Sequence, residues 1–263
     1  MLGSLVATLV HGLLDESSVH AWGWRLPFLA GFVVAAFGVW MRRGMIETPD
    51  FERQRDAGDT EKKPVMEAIS SMPGKIIHVM ALVTVMGGGF YMLFVWWPTY
   101  LTKIIDKPVP HALMVNTISM LVLMSLIPIM GLLSDLWGRR KVLVTALGAM
   151  VLLSYPLFVY SDHGTFAGAL MCQILFAIMV SGVEGPMSAT MVEMFPTRTR
   201  FSGIAVGYNI SLALFGGTAP LVSTWLISLT GDVAAPAYYL IVLSLVSFTA
   251  AVRVHSRGGM QLT

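Results

Sequence analysis

Seven apolar stretches, at residues 26–41, 76–101, 112–133, 142–160, 166–192, 202–229 and 236–252, follow one another along the chain. Each is long enough, or nearly so, to cross the hydrocarbon of a bilayer as a helix, which takes about 20 apolar residues. Strands of a membrane barrel would be shorter and would alternate apolar with polar side chains. Helix stop signals fall in the breaks: Asp162-His163-Gly164, Thr230-Gly231-Asp232, and Pro108 with Pro110. Pro236 suits a first helical turn, where its missing N–H costs nothing. Only 12% of the residues are charged, against about 25% in a soluble domain, so no water-solvated surface can be built. The expectation is an all-α integral membrane protein. Twelve spans would consume roughly 240 residues, leaving almost nothing of the 263 for loops; seven or eight fit.

Residues 1–14 are apolar but lack a basic leader and a small-residue cleavage site, and they are too short to span. They read as the end of a helix that begins earlier. The net charge of +2 points to neither nucleic acid nor an acidic partner. Cys172, the single cysteine, excludes an internal disulfide and reads as a helix-packing residue. The six histidines are scattered without metal-ligand spacing, and no phosphate-binding loop, dinucleotide glycine pattern or nucleophile elbow is present. The expectation is therefore no metal, no cofactor and no enzyme.

Charge locates the loops. Residues 42–67 hold thirteen of the charged residues, out of 17 basic and 15 acidic, and read as a solvated linker with room for an interfacial helix. With that linker inside and the spans alternating, fourteen Lys and Arg fall inside and three, Arg25, Lys103 and Lys107, outside. The positive-inside bias then places the C-terminus in the cytoplasm.

One short inside loop carries the most specific signal, GLLSDLWGRRK at 131–141. Asp135 at a helix end can pair with arginine, Gly138 permits a tight turn, and Arg139, followed by Arg140, can fork onto a carboxylate. At the next inside boundary, EMFPTRTR at 193–200 ends a helix at Pro196, with Glu193 in its last turn and Arg198 and Arg200 beyond. Two readings stand for these groups. They form an ionic latch between helix ends that makes and breaks during transport, or the arginines anchor to lipid phosphates while Glu193 is solvated.

The 131–141 pattern resembles the loop signature of the major facilitator superfamily. Together with WGWRLPF at 22–28, ETPDF at 47–51, EMFPTRTR and FGGTAP at 215–220, in that order, the chain resembles the metabolite:proton symporters of that superfamily. Those include carriers for proline and betaine, 2-oxoglutarate, citrate and shikimate. The resemblance implies a C-terminal six-helix bundle at 76–255, preceded by the end of helix five and helix six at 1–45 and a central cytoplasmic loop at 46–75. A cytoplasmic tail at 256–263 follows. It also implies alternating access in the cell membrane, a small polar substrate with protons, and an N-terminal half absent from this chain.

Polar groups at membrane depth are costly and so are candidates for function. Glu184 is the clearest, set between Gly182 and Gly185; it is either a proton carrier or a partner for neighbouring hydroxyls. The resemblance places Tyr91, Asn116, Tyr208 and Asn209 on cavity-lining helices, although in any membrane bundle such residues also serve as packing. Gly216, Gly217 and Pro220 are expected to weaken their helix as a hinge, or to fix a static kink. Trp96 and Trp97 are expected to anchor in the interfacial aromatic belt.

Overall fold

The computed structural model describes residues 10, 13–43, 64–161 and 163–254, and every regular element among them is helical. The ETPDF stretch, most of the charged linker, Asp162 and the expected tail at 256–263 lie outside the described residues. The chain divides into two compact units, residues 1–58 and 59–263.

In the first unit, α1 (Glu16–Ala21) starts at Asp15, whose carboxylate accepts from the Ser18 N–H at 3.3 Å. Hydrogen bonds from Ser17 and then Ser18 hold the Asp15 carboxyl down to about 2. A single 3₁₀ turn, Gly23–Arg25, leads into α2 (Leu26–Arg43). Phe28, Phe32, Val33, Phe37 and Trp40 are exposed along α2, the surface of a helix made for an apolar medium.

The second unit opens with α3 (Pro64–Ser71), a short helix inside the stretch expected to be loop, followed by α4 (Pro73–Lys103). Then come α5 (Ala112–Trp137), α6 (Arg139–Ser161), α7 (Phe166–Met194), α8 (Arg200–Thr230) and α9 (Pro236–Val252). The helices α4 to α8 are each long and apolar enough to cross a membrane, and α9 is a shorter apolar helix of 17 residues. This is the six-helix bundle the sequence implied. Helix ends follow the stop signals: Gly138 at φ 96°, Gly164 at φ 70° and Gly231 at φ 71° take backbone conformations closed to most side chains. Thr165 caps α7 by accepting from the Gly168 N–H at 3.2 Å.

Burial ranks the helices. In α4 and α7, 67% and 61% of the apolar window lies inside the bundle, against 17% in α5 and 22% in α8. The inner pair is rich in small residues, because close approach of backbones substitutes for the hydrophobic drive that lipid removes. A Cβ on Gly185 of α7 would lie 2.7 Å from the Gly131 nitrogen and 2.8 Å from the Ile127 oxygen of α5. One on Gly182 would lie 2.8 Å from the Ala146 Cβ of α6.

Two helices change pitch. Residues Tyr91–Trp96 of α4 and Leu212–Gly216 of α8 are π-helical, and the two segments touch. A Cβ on Gly216 would meet the Tyr91 ring at 3.1 Å, and one on Gly87 would meet the Gly216 nitrogen at 3.4 Å. Near the same level of α4, Trp97 is fully buried, its ring 4.9 Å from Phe158, 5.7 Å from Phe176 and 5.1 Å from Tyr100. Trp96 is also buried. The expected belt role for this pair is therefore corrected: α4 is the innermost helix, so aromatic side chains at this level face its neighbours instead of lipid headgroups.

Candidate functional site

At one end of the bundle, Asp135 lies in the last turn of α5, Gly138 turns the chain, and Arg139 begins α6. The Arg139 guanidinium bonds Asp135 at 3.3 Å and Glu193, in the last turn of α7, at 2.9 Å. All three charges sit where helix dipoles disfavour them, acids at C-terminal ends and a cation at an N-terminus. Their mutual pairing offsets that placement, so the stability of this corner depends on the three helix ends staying together. Arg139 and Glu193 are mostly enclosed, with 16% and 24% of the side chain exposed, whereas Asp135 is 58% exposed. The Arg139–Glu193 bond is the stronger member.

The other charges of the expected latch go elsewhere. Arg198 pairs with Glu67 of α3, one nitrogen reaching both carboxylate oxygens at 3.0 and 3.1 Å. Arg200 donates from Nε to the Phe195 carbonyl at 3.3 Å and closes its own turn. Arg140 is exposed. Glu67 is the participant that sequence reasoning missed; it belongs to a linker whose mixed charges carry no periodic signal.

Deeper in the bundle, the glycine contacts fix the rotation of α7. Gly182 faces α6 and Gly185 faces α5, so Glu184 between them is turned toward the remaining side. There Glu184 and Tyr91 both lie within electrostatic reach of the Tyr208 phenol. Three of the five expected cavity residues, from α4, α7 and α8, thus lie within electrostatic range of one phenol. All three are partly buried, positions from which a carboxyl can exchange a proton while a phenol donates or accepts beside it. Asn209 is not part of this group: it is exposed and donates to the Ala205 carbonyl of its own helix at 2.7 Å.

Asn116 belongs to a separate polar cluster. Its Oδ1 accepts from Gln173 Nε2 at 2.6 Å, and the same Gln173 nitrogen donates to the Leu93 carbonyl at 2.9 Å. Gln173 was not singled out from the sequence, although a lone amide within the apolar run of α7 was the available signal.

The expected hinge is a change of pitch. The π segment ends at Gly216, and the helix resumes at Ala219 with Pro220 in its first turn, where a proline is accommodated. Gly217 lies between them and is exposed. A groove of about 320 Å³ runs beside this helix, lined by Val192, Arg200, Phe201, Ile204 and Tyr208. A larger one of about 800 Å³ lies apart from the Glu184 locus, between α5, α6 and α7, and is apolar except near Lys141 and Thr145. Among the described residues no group of histidine, cysteine or acidic side chains is arranged to hold a metal ion.

Comparison with known proteins gives a consistent picture. The family model described as Major Facilitator Superfamily matches residues 108–258, more than half of the chain. The proline/betaine transporter of Escherichia coli (strain K12) is 30% identical over 265 positions, covering 96% of this chain and 52% of that protein. The proline/betaine transporter of Salmonella typhimurium (strain LT2) is 29% identical with the same coverage. The glycine betaine/proline/ectoine/pipecolic acid transporter OusA of Dickeya dadantii (strain 3937) is 29% identical, covering 94% of this chain and 51% of OusA. The chain spans about half the length of these relatives. No solved structure gives a significant match.

Proposed function

Since the chain belongs to the major facilitator superfamily and is a multi-pass membrane protein, we propose that it forms the C-terminal transport half of a secondary carrier in the cell membrane. The carrier moves a small polar metabolite, an organic acid or zwitterion, together with protons by alternating access. The observation that carries this reading is the convergence of Glu184, Tyr208 and Tyr91 from three helices on one locus at membrane depth. A carboxyl there is expensive unless it is used. The relatives' names make proline and betaine the first substrates to test. Opposite-end charge asymmetry supports a cytoplasmic position for the Arg139 cluster, from which it would latch the outward-facing state.

The test is uptake of radiolabelled betaine, proline, 2-oxoglutarate, citrate and shikimate by cells producing the protein, with and without an imposed proton gradient. Gradient-driven accumulation of one of these is expected, and Glu184→Gln should abolish accumulation against a gradient while leaving exchange. Full accumulation by Glu184→Gln would remove Glu184 from proton coupling, and no uptake of any of the five, by the chain alone or co-produced with the N-terminal half of a related carrier, would remove the transport reading.

The low burial of α5 and α8 favours a second reading, in which this chain transports only when paired with another helical bundle. Saturable, proton-driven uptake by the purified chain alone in liposomes would overturn it.

A further inference from the structure

The polar cluster on α4, α5 and α7 stands apart from the Glu184 locus and has an unusual internal logic. Leu93 lies in the π segment of α4, where a carbonyl looks five residues ahead for its donor. Five residues ahead is Pro98, which has no N–H. The Gln173 side chain of α7 fills that role at 2.9 Å. Because the Leu93 carbonyl can only accept, the Gln173 amide nitrogen must face it. The same nitrogen meets Asn116 at 2.6 Å, so Asn116 must turn its oxygen inward. The Leu93 carbonyl, by accepting from Gln173, thereby sets the orientation of two side-chain amides on two other helices.

The consequence lies on the far side of Asn116. Its amino group faces away from Gln173, and the nearest acceptor is the Met120 thioether at 3.7 Å on its own helix, a weak one. Gln173 is fully buried, whereas Asn116 is only partly so and can be reached. Its two N–H donors are held ready without a protein acceptor of matching strength.

Given the carrier function proposed above, we infer that Asn116 donates to the carboxylate of the transported substrate and that Gln173 is the positioning residue that keeps this donor turned outward. Carboxylate-bearing acids and zwitterions would gain from Asn116, and neutral analogues would gain less.

The experiment compares uptake kinetics of the protein and its variants for whichever of betaine, proline, 2-oxoglutarate, citrate and shikimate it takes up, and for the corresponding amide. Asn116→Asp is the sharpest variant, because it retains the acceptor Gln173 requires and exchanges the outward donors for a second acceptor that, when ionised, also repels a carboxylate placed there. KM for the carboxylate should rise about ten-fold or more, the scale of one charge-assisted hydrogen bond lost, with kcat little changed and the preference for carboxylate over amide reduced. Gln173→Leu frees the Asn116 amide to rotate and should raise KM by a smaller factor; added to Asn116→Asp it should have little further effect. Unchanged KM in both variants, or a loss confined to the amount of folded protein, overturns the inference while leaving transport intact. Uptake of none of the five by the unaltered protein, alone or co-produced with the N-terminal half of a related carrier, overturns the carrier function and this inference with it.

Discussion

Arg139, the first residue of α6, bonds Glu193 in the last turn of α7 at 2.9 Å. It spans to Asp135 on α5 at 3.3 Å, so a single guanidinium joins three helix ends. A planar, always-charged fork suits this task better than a lysine point charge. The two carboxylates are unequal, because the farther one is also the more exposed.

Glu193→Gln is therefore expected to loosen the corner more than Asp135→Asn. Losing a charge-assisted hydrogen bond of a largely enclosed pair costs about 1.5–3 kcal/mol, whereas an exposed pair contributes about 0–1 kcal/mol. Thiol labelling checks this directly. The only native cysteine, Cys172, is buried, so single cysteines introduced at each end of the bundle report access without background from an exposed native thiol. Access at the Arg139 end should increase in the order unaltered, Asp135→Asn, Glu193→Gln; an equal or reversed effect of the two variants would contradict the assignment.

Glycine contacts give a stability prediction with its own control. At Gly185 a Cβ meets backbone atoms at 2.7 and 2.8 Å, which cannot rotate away as a flexible side chain can. Gly185→Ala should destabilise the bundle by about 1–3 kcal/mol, as overpacking does. At Gly74 nothing lies within 4 Å of an added Cβ, so Gly74→Ala should be neutral or slightly stabilising through the helix preference of alanine. Thermal unfolding in detergent distinguishes the two, and similar midpoints for both variants would refute the close α5–α7 crossing.

Five of the seven expected spans were legible from hydropathy, because the bilayer imposes a length on every helix that crosses it. So was the material of the Asp135, Arg139 and Glu193 corner, since its residues fall at ends the topology brings to one side. The pairing of Arg198 was not: Glu67 lies 131 positions away in a linker without period, and only the docking of α3 joins them. The π segments were equally hidden. Residues 91–96 and 212–216 read as ordinary helix, and the pitch change becomes visible only where Tyr91 rests on Gly216. Gln173 escaped for a related reason, because its partner is the Leu93 carbonyl inside the π segment, a backbone group with no signal in the sequence.

The Glu67–Arg198 pair makes a local prediction. It ties α3 to the segment between α7 and α8, and its side chains are 27% and 38% exposed. Glu67→Ala should weaken α3 by no more than about 1 kcal/mol, the scale of a partly exposed pair, with the bundle unaffected. Amide hydrogen exchange should show faster exchange confined to residues 64–71; unchanged exchange there would mean the pair does not hold the helix.

The contact between the two π segments predicts a transport defect without unfolding. Gly216→Ala places a Cβ 3.1 Å from the Tyr91 ring, close enough that the ring must give by a few tenths of an ångström. Tyr91 is partly buried, so the ring has room to move and the cost in stability should be small. If α4 slides against α8 during the access change, the added methyl obstructs that motion at its tightest point. The turnover rate should then fall several-fold, on the order of 1 kcal/mol in the barrier, with KM nearly constant. Equal turnover by Gly216→Ala and the unaltered protein would show that the paired π segments are static packing and that the access change pivots elsewhere.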